Sequence, residues 1–309
     1  MLSFYNKILI FFIICFSLLI IILIISQIEC NSYKLNVFNI KNEKNSDKFK
    51  LIFITDFHNK VFKNSYEKLI SDILSVNADY IVLGGDFINF SGFQSKKNSL
   101  GVENTYAFLT LLLNKIHENK NYNLKRIFFA FGNHELRLKN RTDSLYLTEE
   151  YNKFINFLKT NNIYILDNDS YKVSNGITLY GLSLYDGYYG KIFTKKLKFK
   201  HIDKKVFDET FKNINQDNYN IMVFHKPDYA EDFIDYGFDL VLSGHYHGGL
   251  VNFPIVGPIL SPDFKIFPKY SVGHYKYKNG DIIVSSGLGE HLFKIRVNNI
   301  PEVVVININ

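Results

Sequence analysis

Asp56-Phe57-His58, Gly84-Gly85-Asp86, Gly132-Asn133-His134-Glu135, His225-Lys226-Pro227 and the run Ser243-Gly244-His245-Tyr246-His247-Gly248-Gly249 are the places where this chain could do chemistry. Singly, each has a plain alternative. An Asp-x-His pair can be a surface turn, Asp86 can cap a helix, Asn133-His134 can be turn chemistry, and His225 before Lys-Pro can be structural. Together they carry more, because three Asp or Asn residues and five of the nine histidines fall in these short blocks. Imidazole and carboxylate in one shell suit Zn, Fe or Mn, whereas calcium prefers an all-oxygen shell. The candidate ligands outnumber one tetrahedral zinc site. Two metals sharing a bridging carboxylate would account for them.

Each block closes a short apolar run. Residues 50–55, 80–83, 126–131, 219–224 and 240–242 read as buried strands, and each ends on one of the five blocks. Apolar positions at Leu69, Ile70, Ile73, Leu74 and Val76 predict a helix over 65–77, with others at 105–117, 149–159 and 229–236. Further strands are expected at 163–166, 171–173 and 177–182, and from 270 to the C-terminus, with a turn at Lys278-Asn279-Gly280-Asp281. Apolar strands between helices indicate an α/β fold with covered sheet faces. Ligands in such folds gather at the carboxyl ends of strands.

In this order the five blocks resemble the signature of the calcineurin-like metallophosphoesterases. The run Gly244–Gly249, with Phe267-Pro268-Lys269-Tyr270 and Val284-Ser285-Ser286-Gly287-Leu288-Gly289, is similar to a membrane-anchored branch that includes phosphodiesterases and UDP-2,3-diacylglucosamine pyrophosphatase-type enzymes. The resemblance covers residue 50 to the C-terminus. It implies a four-layer α/β/β/α sandwich and two divalent ions (Mn, Fe or Zn). Asp56, His58, Asp86 and His247 would hold the first, Asp86 would bridge, and Asn133, His225 and His245 would complete the second. His134 would stay off the metals, facing the substrate to protonate the leaving oxygen or stabilise equatorial charge. Two dications would acidify a shared water and hold a phosphoryl group in line with it. Two positions depart from the pattern: Asn89 stands where many relatives carry Asp, and Leu250 where many carry Gln.

The other end of the chain has a different character. No charged residue occurs between Lys7 and Glu29, and at about 1.5 Å per residue such a run crosses a hydrocarbon core of roughly 30 Å. No small-x-small cleavage site precedes Cys30, so a retained single span over about 8–28 is expected. Residues 1–30 would be the anchor, 31–49 a polar juxtamembrane connector and 50–309 the catalytic domain. The short lysine-bearing head favours export of the body, and Lys34, Lys41 and Lys44 favour a cytoplasmic one, so orientation stays open.

Composition excludes other classes. Two cysteines, Cys15 and Cys30, make neither a disulfide framework nor a four-thiolate zinc site. The net charge of +6 with only four arginines (Arg126, Arg137, Arg141 and Arg296) offers no basic patch for nucleic acid, and none is expected as a partner. The expected partners are a phosphorylated small-molecule or lipid-linked substrate and the membrane itself. A non-catalytic phospholigand-binding module and a nuclease on the same scaffold are the alternatives. His117, His201, His274 and His291 match no block and read as surface or structural. The Lys- and Tyr-rich stretch 186–201 reads as a solvated face or as a cap over the site.

Overall fold

Alternation at period two sorts the apolar residues of each strand between two cores. In β2 (Phe49–Ile54), Leu51 and Phe53 enter one core while Ile52 and Ile54 enter the other. β3 (Tyr80–Leu83), β4 (Arg126–Ala130) and β14 (Glu302–Ile308) divide in the same way. Strands buried on both faces read as unbroken apolar runs, which is why they are visible in the sequence.

The computed structural model describes residues 4–62, 66–90, 101–141, 144–184, 186–189, 200–212, 214–249, 252–253, 257–261, 263, 265–290 and 294–309. One six-stranded sheet has the order β1 (Lys34–Ile40), β14, β2, β3, β4, β5 (Tyr164–Leu166). The other runs β12 (Gly273–Tyr277), β13 (Gly280–Val284), β9 (Leu240–Ser243), β8 (Tyr219–Val223), β7 (Ile177–Gly181), β6 (Asp169–Lys172). A two-stranded ribbon pairs β10 (Asn252–Phe253) with β11 (Gly257–Pro258). Phe53, Phe128, Ile221, Leu242 and Ile306 fill the space between the large sheets. Helices α2 (Tyr66–Ser75), α3 (Glu103–Glu118) and α5 (Leu145–Thr160) cover the first sheet, and α6 (Lys204–Phe211) and α7 (Ala230–Tyr236) the second. This is the expected four-layer sandwich.

Two stretches differ from expectation. The segment 31–49 is not a bare connector, since it supplies β1, which pairs in parallel with β14 from Lys34 opposite Glu302 to Ile40 opposite Ile308. Its Asn and Lys residues mask a strand because β1 lies at the sheet edge, where one face tolerates polar side chains. Leu35 still packs on one core, and Phe38 and Ile40 on the other. The Asn133-His134 block, read as a strand terminus, is instead the first turn of a short helix, α4 (Asn133–Lys139), following Gly132.

The N-terminal helix α1 (Phe4–Cys30) is long and apolar enough to cross a membrane, and that apolar window is unburied. Its C-terminal turns dock on the body. Ser26 Oγ accepts from Arg296 N at 3.0 Å, and the Glu29 carboxylate accepts from Asn298 N and Asn299 N at 3.0 and 2.9 Å. Buried Lys60 donates to Cys30 O at 2.6 Å and pairs with Glu290. Burial, with Arg296 nearby, lowers the Lys60 pKa to about 7. Asn31, Ser32 and Tyr33 alone separate α1 from β1.

Candidate metal centre

The five blocks meet at one edge of the sandwich, at the carboxyl ends of β2, β3, β4, β8 and β9. Their backbone is unusual there. Asp56, His58, Asp86, His245 and His247 all have positive φ, between 47° and 69°. Each such conformation costs a non-glycine residue of order 1–3 kcal/mol, and the surrounding packing must hold it. Two glycines make the approach possible: a Cβ on Gly132 would collide with Asp86 Oδ1, and one on Gly244 with Asp56 Oδ2.

All eight candidate residues are buried and lie together. Three groups have ligand atoms mutually within 4.8 Å: Asp56 with His58 and His247, Asp86 with His225 and His245, and His58 with Asp86 and His134. The first two correspond to the two expected sites, with Asp86 also near His58 (3.8 Å). His134 Nε2 lies 3.9 Å from Asp86 Oδ2, at the border of the same cluster.

The donor chemistry fits cations. His225 Nδ1 lies 2.9 Å from Gly84 O and His247 Nδ1 3.2 Å from Gly289 O; each donates there, which turns Nε2 toward the centre, where it can take a cation or a proton. The two Nε2 atoms face carboxylate oxygens and another ring nitrogen. His225 Nε2 is 3.0 Å from Asp86 Oδ2, and His247 Nε2 is 3.1 Å from His58 Nε2 and 3.3 Å from Asp56 Oδ1. The Asn133 amide oxygen likewise faces only acceptors; turned over, its nitrogen would donate to His245 Nδ1 at 2.8 Å and Asp86 Oδ2 at 3.3 Å. Two buried carboxylates, Asp56 and Asp86, so close together need positive charge, a proton or a cation, beside them.

The ionisation directions say the same. Burial alone would lower the His225 pKa, yet Asp86 and Asp56 hold it up at about 10. Burial would raise Asp86, but His225, His134 and His58 hold it well below the usual carboxylate range. Burial keeps Asp56 raised despite His225. Backbone groups fix both carboxylates: His134 N donates to Asp86 Oδ1 at 2.9 Å, and His245 N reaches both oxygens of Asp56 at 3.1 Å.

Glu135, to which the sequence assigned no role, holds the second loop in place. Its carboxylate accepts from the backbone N–H groups of Asp86, Phe87, Ile88 and Gly132 at 2.8, 2.9, 3.1 and 2.9 Å. An unsatisfied buried N–H costs about 1–3 kcal/mol. Glu135→Ala is therefore expected to destabilise the chain by on the order of 4 kcal/mol or more, read as a lower urea midpoint in detergent. Glu135→Gln, which keeps one acceptor oxygen, should lose less. An unchanged midpoint in Glu135→Ala would show that the loop holds itself.

Three further residues border the centre: Asp263, Lys226 and Tyr189, the last in the stretch read as a solvated face or a cap. Asp263 accepts from His245 Nε2 at 2.9 Å and pairs with buried Lys226 at 3.0 Å. Burial opposes charge on Asp263, but His245 and Lys226 hold it well below its ordinary range. Tyr189 packs edge-on against His245, with ring centroids 5.8 Å apart, and its buried hydroxyl has no hydrogen-bond partner among the described residues. Only tertiary contact brings these groups in. Tyr188 and Tyr189 are thus buried rather than part of a solvated face, while 190–199, with most of that stretch's lysines, lies outside the described residues. His201 meets Asp232 at 2.9 Å and His274 meets Asp281 at 2.5 Å, both away from the centre; His117 is exposed, and His291 lies outside the described residues, as does Leu250. Asn89 bridges to Gly101 through its backbone.

Comparison with known proteins agrees with the fold and the blocks. The profile of the calcineurin-like phosphoesterases matches residues 49–249. YkuE of Bacillus subtilis, an uncharacterised metallophosphoesterase, is 32% identical over 145 residues, covering 45% of this chain and 49% of its own length. An uncharacterised metallophosphoesterase of Aquifex aeolicus is 29% identical over 184 residues, 59% of this chain and 60% of its own. The match thus spans only about half to three-fifths of those two proteins. The phosphodiesterase YaeI of Escherichia coli is 23% identical over 269 residues, covering 85% of this chain and 83% of its own length.

Proposed function

Because the chain belongs to the calcineurin-like phosphoesterases, we propose that it is a membrane-anchored hydrolase of a phosphodiester or pyrophosphate bond, using two divalent cations of the Mn, Fe or Zn type. The observation that carries this reading is the convergence of buried imidazoles from His58, His225, His245 and His247 on Asp56 and Asp86, in groups whose ligand atoms lie within 4.8 Å of one another. In it, Asp56, His58, His247 and Asp86 would hold one cation, and Asp86, Asn133, His225 and His245 would hold the other. Divalent cations there would supply Lewis acidity toward phosphoryl oxygens and an acidified water.

The protein's own groups do the positioning. Backbone N–H groups fix Asp56 and Asp86, Asp263 fixes the ring of His245, and carbonyl oxygens fix His225 and His247. Phe90 N donates to His134 Nδ1 at 2.8 Å, which leaves Nε2 as the proton-bearing nitrogen of the neutral ring. His134 so held donates a hydrogen bond to a phosphoryl or leaving oxygen as charge develops on it. Between the two roles its position allows, this contact supports charge stabilisation over release of a proton. A substrate borne on a lipid, such as a nucleotide-sugar lipid of the UDP-2,3-diacylglucosamine kind, suits an anchored enzyme.

The test is hydrolysis of bis-p-nitrophenyl phosphate by the full chain in detergent. Turnover should vanish on chelation and return with Mn, Fe or Zn. Turnover that survives complete metal removal would overturn the proposal, and metal binding without turnover on any diester or pyrophosphate would favour a binding module.

A further inference from the structure

The register of the first sheet decides where the centre sits relative to α1. β1 begins at Lys34 opposite Glu302, and β14 runs antiparallel to β2 with Val304 opposite Phe53. The start of β1 therefore lies at the edge where β2 ends and Asp56 begins. Three residues earlier the apolar helix ends, with no slack to carry it elsewhere.

Hydrogen bonds tie the helix end to the ligand loop itself. Glu29 accepts from Asn299 N, and Asn299 Nδ2 donates to His247 O at 2.5 Å and Gly249 O at 2.7 Å. Arg296, whose backbone N–H binds Ser26, donates through its guanidinium to Gly289 O, the acceptor of His247 Nδ1. The segment bearing Asp263 joins the same network, since Asn252 N donates to Val297 O at 3.0 Å and Asn298 Nδ2 to Asn252 O at 3.0 Å.

The surface at this edge is apolar where it should be wet. Ile266 and Phe267 are 69% and 58% exposed, Phe267 at a φ of 48°, between Lys265 and Lys269, whose ammonium groups pair with Asp228 and Glu231. Val61, next to the Lys60 that binds the helix end, is 62% exposed, and Ile300 follows Asn299. Leu145 and Tyr146, also exposed, head α5, which starts at this edge because it runs back to feed β5 parallel to β4. Outside α1, only Val37 among the exposed large apolar side chains of the described residues falls elsewhere. Apolar side chains flanked by lysine suit the headgroup boundary of a bilayer.

We infer that the metal centre opens directly onto the membrane surface, that Ile266 and Phe267 insert into it, and that the substrate is a phosphodiester or pyrophosphate carried at headgroup depth by a lipid of the same bilayer. This rests on α1 spanning the bilayer and on the phosphoesterase reading. A site on the far edge of the sandwich would reach only soluble substrates.

The chain contains no tryptophan, so single reporters are possible. The full chain carrying Phe16→Trp, Phe267→Trp or Asn279→Trp is placed in phosphatidylethanolamine–phosphatidylglycerol vesicles with lipids brominated high on the acyl chain. Phe16 marks the span, and Asn279 marks the opposite edge, beside the start of β13 and β9. The first two variants should lose emission relative to unbrominated vesicles, and the third should not. Loss at Phe16 without loss at Phe267, or with equal loss at Asn279, overturns the inference and leaves the anchor standing. No loss at Phe16 overturns the anchor reading itself.

A second assay addresses the substrate. Ile266→Asp with Phe267→Asp should raise KM for vesicle-borne phosphatidyl-p-nitrophenol about tenfold, the scale of losing one buried apolar side chain. Hydrolysis of soluble bis-p-nitrophenyl phosphate should not change. Equal effects on both substrates, or hydrolysis of the soluble ester alone by the unmodified chain, would overturn the assignment. Failure on both esters would count against the phosphoesterase reading instead.

Discussion

Asp86→Ala is expected to abolish hydrolysis and metal content together. Asp86 belongs to two of the three ligand groups, with Oδ2 at 3.0 Å from His225 Nε2, 3.8 Å from His58 Nε2 and 3.9 Å from His134 Nε2. Asp56 Oδ1 also reaches both halves, at 3.3 Å from His247 Nε2 and 3.5 Å from His225 Nε2, so its removal should act in the same direction. Removal of Asp86 takes away the charge that those imidazoles face and leaves an acceptor set with nothing to share. The measurement is elemental analysis of the purified full chain beside turnover of bis-p-nitrophenyl phosphate. A variant that keeps its metals would sink the bridging assignment. Asp86→Asn is the informative partner, because it retains an acceptor for His134 N while removing the charge. It should fold like the parent and still fail to turn over.

His134→Ala should behave differently, with metals retained and turnover lower by roughly two to four decades. The ring is held by Phe90 N at Nδ1, and what it offers the reacting oxygen is the Nε2 proton. Glutamine can place an amide N–H near the same point, so His134→Gln should recover part of the loss. Because His134 also lies within ligand distance of His58 and Asp86, metal analysis decides between two roles. Loss of metal in His134→Ala would make it a ligand. Retention with reduced turnover would support the hydrogen-bond role.

How much of this the sequence discloses depends on where the information is local. The ligand blocks were legible because each follows an apolar run such as Tyr80–Leu83, and a strand buried on both faces announces its own end. β1 was not, since an edge strand with Asn36 and Asn39 looks like a linker until β14 is beside it. Glu135 and Asp263 escaped for another reason, whereas Tyr189 fell in the stretch read as a solvated face or a cap. The partners of the first two are backbone N–H groups or rings far off in sequence, and nothing in their neighbours marks the contact. The docking of Glu29 on Asn298 and Asn299 belongs to the same class.

The place of β14 in the first sheet has a consequence for biosynthesis. The strand made last is inserted between β1 and β2, two of the first to be made. Until β14 leaves the ribosome, β1 has no neighbour and β2 lacks one side, while α1 has already emerged ahead of them. Such distant pairing is slow to close and leaves strand edges open to wrong partners meanwhile. Nascent chains stalled before Glu302 should therefore be readily cut by protease between β1 and β2, and loss of the terminal strand should prevent folding rather than trim it.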